Sequence, residues 1–199
     1  MLIDLHYLIK KYNIILDGII HVGGHIGEEI TLYKTYTNNI HVFEPQKDCF
    51  EKIDCSVKKY NFALGSKEEN GNMFISNNKQ SSSLLKPKDH LLQHPDVTFS
   101  DNNYEVMIKK LDSFCIKNCN FMNIDVQGYE LEVLKGSHDT LSDIEYIYTE
   151  INKTELYDGC VLLEDLDLFL KKYKFTRAEI KMCDHFTWGD AFYIKEGIK

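Results

Sequence analysis

The stretch HVGGHIGEE, residues 21–29, constrains the fold more than any other part of the chain. It begins in an apolar run, GIIHV (18–22), that reads as a short buried strand, and passes through a glycine turn into a helical pattern at 27–36. A strand that turns on glycines into a helix is the opening unit of a parallel α/β sheet. Glycines let backbone approach a ligand closely, and free N–H groups at a helix start attract a carboxylate or phosphate. The dinucleotide pattern GxGxxG would require glycine at 22, where Val22 stands, which argues against a nicotinamide dehydrogenase.

The same alternation continues downstream. Residues 2–12 place Leu2, Leu5, Leu8 and Ile9 at helical spacing. Strands are expected at 40–44, 58–64, 121–125 and 144–151, with helices at 27–36, 48–53, around YELEVLKGS and at 161–173. A hairpin-like piece (GNMFIS), the run YEVMIKKL and a short helix DSFCIKN fall between them, and FTRAEIKM with GDAFYIK makes a closing pair. Strands alternating with helices indicate a mostly parallel sheet covered on both faces. The expected organisation is one domain over 1–199, with an N-terminal helical piece at 1–17. The long polar segment 77–103 is either mobile or substrate-binding.

Charge and composition exclude several partners. The net charge is −8, and the acidic excess lies almost wholly beyond residue 100. Nucleic-acid binding leaves a basic footprint that this chain lacks. No run of about 18 apolar residues is present, so no membrane span is expected. The first ten residues carry Asp4 and no long apolar region, which argues against a secretion signal and for the cytoplasm, that of a host if the source is a virus. Six cysteines without CxxC pairing read as reduced thiols, and no HExxH or clustered Cys/His motif suggests structural zinc. Of 23 basic residues only Arg177 is not lysine, a usage typical of an AT-rich genome.

Several residues carry chemistry by position. Glu44 ends the second strand, where an acid accepts both hydroxyl protons of a ribose. Asp125 ends a central strand beside the glycine turn, and Glu150 ends its neighbour. Carboxylates on adjacent strand ends hold a divalent cation or share a proton. Glu130 and Glu132 read as a solvated helix face, and His90, His94 and His138 as surface residues. Cys115 and Cys119 read as one apolar helix face. His185, in the loop-like MCDHFTWGD, is a candidate base by chemistry, and Trp188 beside it offers a flat face to a sugar ring.

The succession HVGGHIGEE, HVFEPQKDCF, NFALGS, SSSLL, KKLDSF, NIDVQGYELEVLKGS and YTEI resembles the FkbM family of S-adenosylmethionine-dependent methyltransferases, across roughly residues 18–152. The resemblance implies a doubly wound, mostly parallel, seven-stranded class I methyltransferase sheet of Rossmann-like type. It also implies methyl transfer to a hydroxyl, with S-adenosylmethionine as cofactor and a nucleotide sugar or glycan precursor as acceptor. By the same resemblance Gly23, Gly24 and Gly27 belong to the cofactor's methionine end, Glu28 is a further cofactor-binding residue, and Glu44 belongs to the ribose. Ala63 lies beside its adenine, Ser82 or Ser83 closes over it, and Asp125 lies near the methionine amine or the transferred methyl. Asp125, Glu150 and His185 are the catalytic candidates. The chain departs from the family's pattern at His21 and Gln127, where acids are usual. A cation site there is one ligand poorer, and none is assigned. Two other readings stay open: methylation of a non-sugar hydroxyl, and a non-catalytic cofactor-binding module. The acceptor falls to the variable segments, and a homodimer would complete a site this short chain leaves open.

Overall fold

The computed structural model describes residues 1–100 and 104–198; the end of the polar segment, 101–103, and Lys199 lie outside the described residues. The chain forms α1 (Leu5–Tyr12), β1 (Ile19–Val22), α2 (Ile30–Tyr33), β2 (Ile40–Phe43), α3 (Lys47–Phe50), β3 (Lys58–Tyr60), β4 (Ala63–Leu64), β5 (Glu69–Met73) and α4 (His90–Gln93). These are followed by β6 (Tyr104–Lys109), β7 (Phe121–Ile124), α5 (Glu130–Lys135), β8 (Tyr146–Asn152), α6 (Leu163–Lys172), β9 (Phe175–Met182) and β10 (Trp188–Lys195). Seven strands form one sheet in the order β3-β2-β1-β7-β8-β10-β9, and β4-β6-β5 form a second, smaller one. In the large sheet β10 runs antiparallel to both its neighbours, and the other pairings are parallel. This is the doubly wound, mostly parallel architecture expected from the sequence. The order reverses between β1 and β7, and ligands bind such sheets at the carboxyl ends of the strands flanking that point.

Alternation along the strands divides the core. Ile20 and Val22 of β1, Met122 and Ile124 of β7, and Ile147 and Ile151 of β8 face Val133 and Leu134 of α5 and Leu163, Leu166 and Leu170 of α6. Ile19, Ile40, Val42, Phe121 and Tyr148 face the other way, onto Leu5 and Leu8 of α1 and Ile30 and Tyr33 of α2. α1 starts where the Asp4 side chain accepts from the Tyr7 N–H, and it ends where Asn13 turns left-handed at φ 51°. α6 has acidic residues in its first turn and lysines in its last, which suits the helix dipole.

Three elements depart from the sequence reading. The strand expected at 58–64 is two: β3 joins the edge of the large sheet, while β4 pairs with β6 in the small one. Asn61 and Phe62 between them carry the chain from one sheet to the other. The helix expected at 27–36 is a single regular turn, because Gly27 sits at φ +84° and the chain ahead of Ile30 follows turn geometry. DSFCIKN forms one 3-10 turn at Leu111–Phe114 that stops at left-handed Cys115. Cys115 is thus exposed and Cys119 buried, and they share no helix face; both are free thiols. No helix among the described residues is long and apolar enough to cross a membrane.

Candidate cofactor and acceptor site

A cavity of about 450 Å³ opens at the carboxyl ends of β1, β2, β7 and β8 and runs under the segment 78–97. Its volume is that of a small-molecule site.

The glycine turn shapes one wall. Gly23 has φ +85°, and a Cβ there would meet the Asp125 carbonyl oxygen at 1.8 Å. At Gly24 a Cβ would meet Val42 at 2.1 Å. Both line the cavity, but their lack of a side chain is required by the approach of β7 and β2, before any ligand is considered. Gly27 does not line it; its N–H donates to the Gly24 carbonyl and shapes the turn. Glu28 lines the wall and pairs with the His25 ring at 2.7 Å.

Glu44 stands just past the end of β2, 3% exposed. One carboxylate oxygen accepts from the His25 N–H at 2.8 Å and the other from the Gln46 N–H at 2.7 Å. Burial pushes its pKa up to about 7, against the pull of those two donors. Each oxygen retains a lone pair, and the carboxylate lines the cavity. Gln46 lines it too: its amide nitrogen donates to the Lys79 carbonyl, which leaves its buried side-chain oxygen without a partner. Ala63, Phe43 and Phe62 supply apolar surface nearby.

Asp125, exposed at the end of β7, faces the same space, as does buried Glu150 of β8. Gln127 ties them together. Its amide nitrogen donates to Asp125 at 2.8 Å and to Glu150 at 2.6 Å, while its oxygen accepts from the Tyr157 hydroxyl at 2.9 Å. Both N–H donors of this amide and its oxygen are therefore engaged, in a residue held at φ +55°. Burial raises the Glu150 pKa well above the usual range, and the charges of Asp125, Glu130 and Asp190 raise it further. His21, whose pKa burial lowers, packs against Tyr33 and lines the cavity. Among the described residues no group of three or more His, Cys, Asp or Glu side chains is placed to hold a metal ion.

Some expected residues take other places. His185 is exposed in the turn between β9 and β10 and lies outside the cavity lining, so geometry removes it from the catalytic set. Ser82 and Ser83 line the cavity, but their hydroxyls are engaged by the protein: Ser82 accepts from the Ser76 N–H, and Ser83 donates to the Gln127 carbonyl. Glu130 is fully buried rather than solvated. One of its oxygens accepts from the Val126 and Gly128 N–H groups, which orders the turn that carries Gln127. Glu132 is half-buried and pairs with Lys135. His138 is exposed, as expected.

His90 and His94 are not stray surface residues. His90 is 4% exposed, and both rings line the cavity. The spacing HLLQH puts two rings on one helical face, a signal present in the sequence but hidden in a segment with no assigned structure. Gln46 and Asp190, also cavity-lining, carried no such signal. Trp188 lines the cavity at the start of β10.

Comparisons with known proteins agree with this architecture. A family model, the methyltransferase FkbM domain, matches residues 21–176. A curated relative, the 2-O-methyltransferase NoeI of Sinorhizobium fredii, is 36% identical over 83 residues, which cover 40% of this chain and 34% of that protein. The chain thus matches about a third of that relative's length. Among solved structures, methyltransferase FkbM from Methylobacillus flagellatus has a TM-score of 0.57 at 12% identity, covering 89% of this chain and 43% of that one. The magnesium protoporphyrin IX methyltransferase of Synechocystis, solved with bound S-adenosylmethionine, has a TM-score of 0.52 at 9% identity, covering 96% and 76%. At such identities the two structures speak for the fold alone, and it is the family match over most of the chain that decides membership: this protein belongs to the FkbM methyltransferase family.

Proposed function

We propose that the protein is an S-adenosylmethionine-dependent O-methyltransferase acting on a sugar hydroxyl. The observation that carries this reading is the joint placement of the glycine turn, Glu44 and Asp125 around one cavity at the sheet's switch point. The donor set fits the cofactor. Glu44 presents two acceptor oxygens for a ribose diol, and the unpartnered Gln46 oxygen beside it suits an N–H or O–H donor of the nucleoside. Phe43, Phe62 and Ala63 give the apolar surroundings a purine needs.

When bound, the cofactor supplies a methyl group on a sulfonium that already leaves readily. The chain's task is to align an oxygen with it and accept a proton as the bond forms. Asp125 stands on the open side of the carboxylate pair and receives the hydroxyl proton. Gln127, whose amide nitrogen donates to both carboxyl groups, holds Asp125 in place against Glu150. The sugar class is supported by the partial likeness to a protein named as a 2-O-methyltransferase and by Trp188 at the cavity wall.

The test is cofactor binding followed by turnover. S-adenosylhomocysteine should bind the wild type, and Glu44→Ala should weaken it roughly 10- to 100-fold while the fold survives. Unchanged affinity in calorimetry removes the ribose role. Assays of S-adenosylhomocysteine release with nucleotide sugars, free glycosides and phenols then separate the sugar reading from a non-sugar hydroxyl. Binding without turnover on any of them would mark a non-catalytic module.

A further inference from the structure

The cavity has a second end that the cofactor-binding residues do not occupy. It is lined by His90 of α4, His94 just after it, Val97, Leu156 and Trp188. Although α4 is only four residues long, it is anchored on several sides. The Lys88 and His90 N–H groups donate to the Leu156 carbonyl, the Asp158 N–H donates to the Lys86 carbonyl, and the Thr187 hydroxyl donates to the Gln93 side chain. The ring of His90 is fixed by its neighbours: Tyr157 at 5.3 Å, Phe99 edge-on at 5.6 Å and His94 at 4.8 Å between centroids. Its Nδ1 is buried and has no hydrogen-bond partner. Burial, reinforced by His94, pushes the ring's pKa down to about 4, so at neutral pH the imidazole is uncharged and one ring nitrogen is an acceptor.

A buried polar atom left unpaired costs free energy unless a ligand completes it. The residue that carries it lines the cavity, as do Trp188 and the apolar Leu156 and Val97. A ring carrying hydroxyls matches that surface, with its apolar face on the indole and leucine and one hydroxyl on the imidazole. A flat phenol has fewer donors to offer.

Resting on the methyltransferase reading above, we infer that the α4 end of the cavity is the acceptor subsite, where the His90 ring nitrogen holds a non-reacting hydroxyl of a sugar against Trp188. His90 is then a binding residue and moves no proton. Through the Tyr157 ring its orientation is tied to the same hydroxyl that supports Gln127 and the carboxylate pair.

The experiment compares wild type, His90→Phe and His90→Asn. Each is titrated with S-adenosylhomocysteine and assayed with S-adenosylmethionine plus uridine diphosphate glucose, guanosine diphosphate mannose, methyl glycosides and 4-nitrophenol. Phe keeps the ring volume and removes the nitrogen, while Asn restores a polar atom near Nδ1. His90→Phe should raise the KM for a sugar roughly 3- to 10-fold, with kcat and S-adenosylhomocysteine affinity changed by less than about twofold. His90→Asn should recover part of the loss. A sugar KM unchanged in His90→Phe overturns the inference, and so does a variant whose main defect is in cofactor binding. Turnover of 4-nitrophenol with none on sugars overturns the acceptor class along with this subsite. Failure of the wild type to bind S-adenosylhomocysteine would instead strike the underlying reading.

Discussion

Glu44 and His90 both line the cavity and are both nearly sealed from solvent, but they are put there by different means. Glu44 follows directly from β2, whose four residues pair in register with β1 and whose last three also pair with β3. Its position is fixed by the large sheet, and its oxygens are held by the N–H groups of His25 in the glycine turn and of Gln46 two residues on. His90 is carried by a single helical turn within a loop, and long-range hydrogen bonds to 154–158 and 187 hold that turn in place. The Glu44 side of the cavity is thus set by sheet geometry, the His90 side by cross-links between loops. In the first, substitution of the glycines that let the strand ends approach should damage fold and site together. In the second it should change what is bound and leave the fold standing.

The largest effect that sharpens this contrast is at Gly23. Gly23→Ala needs a Cβ at 1.8 Å from the Asp125 carbonyl at positive φ, and should cost more than about 3 kcal/mol in urea denaturation, or yield no soluble protein. A stable Gly23→Ala protein would mean the strand ends are not rigid.

Gln127→Glu comes next. It replaces the donor between two carboxylates by a third acid, and should destabilise the protein by about 3 kcal/mol at pH 8. The carboxyls of this cluster would then have pKa values raised in the fold above their unfolded values. Stability should be fullest at low pH and fall as pH rises, so the defect should shrink at pH 5. Equal defects at both pH values would show that charge is not its cause.

Glu44 gives a smaller, pH-dependent effect. Its pKa of about 7 in the fold exceeds that of an unfolded Glu, so ionisation opposes folding and its contribution to stability is lost as pH climbs through 7. On the proposed ribose role ligand binding has the opposite sign, because a carboxylate accepting two hydroxyl protons must be ionised. Affinity for S-adenosylhomocysteine should drop by up to about tenfold per pH unit below 7, and Glu44→Gln should remove that slope. At the small end, Leu92 of α4 is 82% exposed, and Leu92→Ser should alter stability by no more than about 0.5 kcal/mol.

The same contrast explains what the sequence disclosed. Buried parallel strands such as IIHV and FMNI announce themselves by apolar composition, and a carboxylate at a strand end inherits its place from the sheet. Asp125, Glu150 and Glu44 were legible for that reason. His90 was not, because its burial depends on residues some 65 positions downstream, a tertiary fact that local periodicity does not carry. Glu130 was misread as solvated because a helix face in isolation gives no sign that two backbone N–H groups lie above it. The split of 58–64 escaped as well, since an apolar run does not state that its two halves pair with different partners.

That split also sets a mechanical link. Only Asn61 and Phe62 separate Tyr60 on the large sheet from Ala63 on the small one. The Asn61 amide donates to the carbonyls of Glu44 and Pro45, and the Glu44 N–H donates to the Tyr60 carbonyl. The joint between the sheets is therefore stitched to the backbone of Glu44. A tilt of the small sheet pulls on Glu44 through a linkage two residues long, with almost no slack to absorb it.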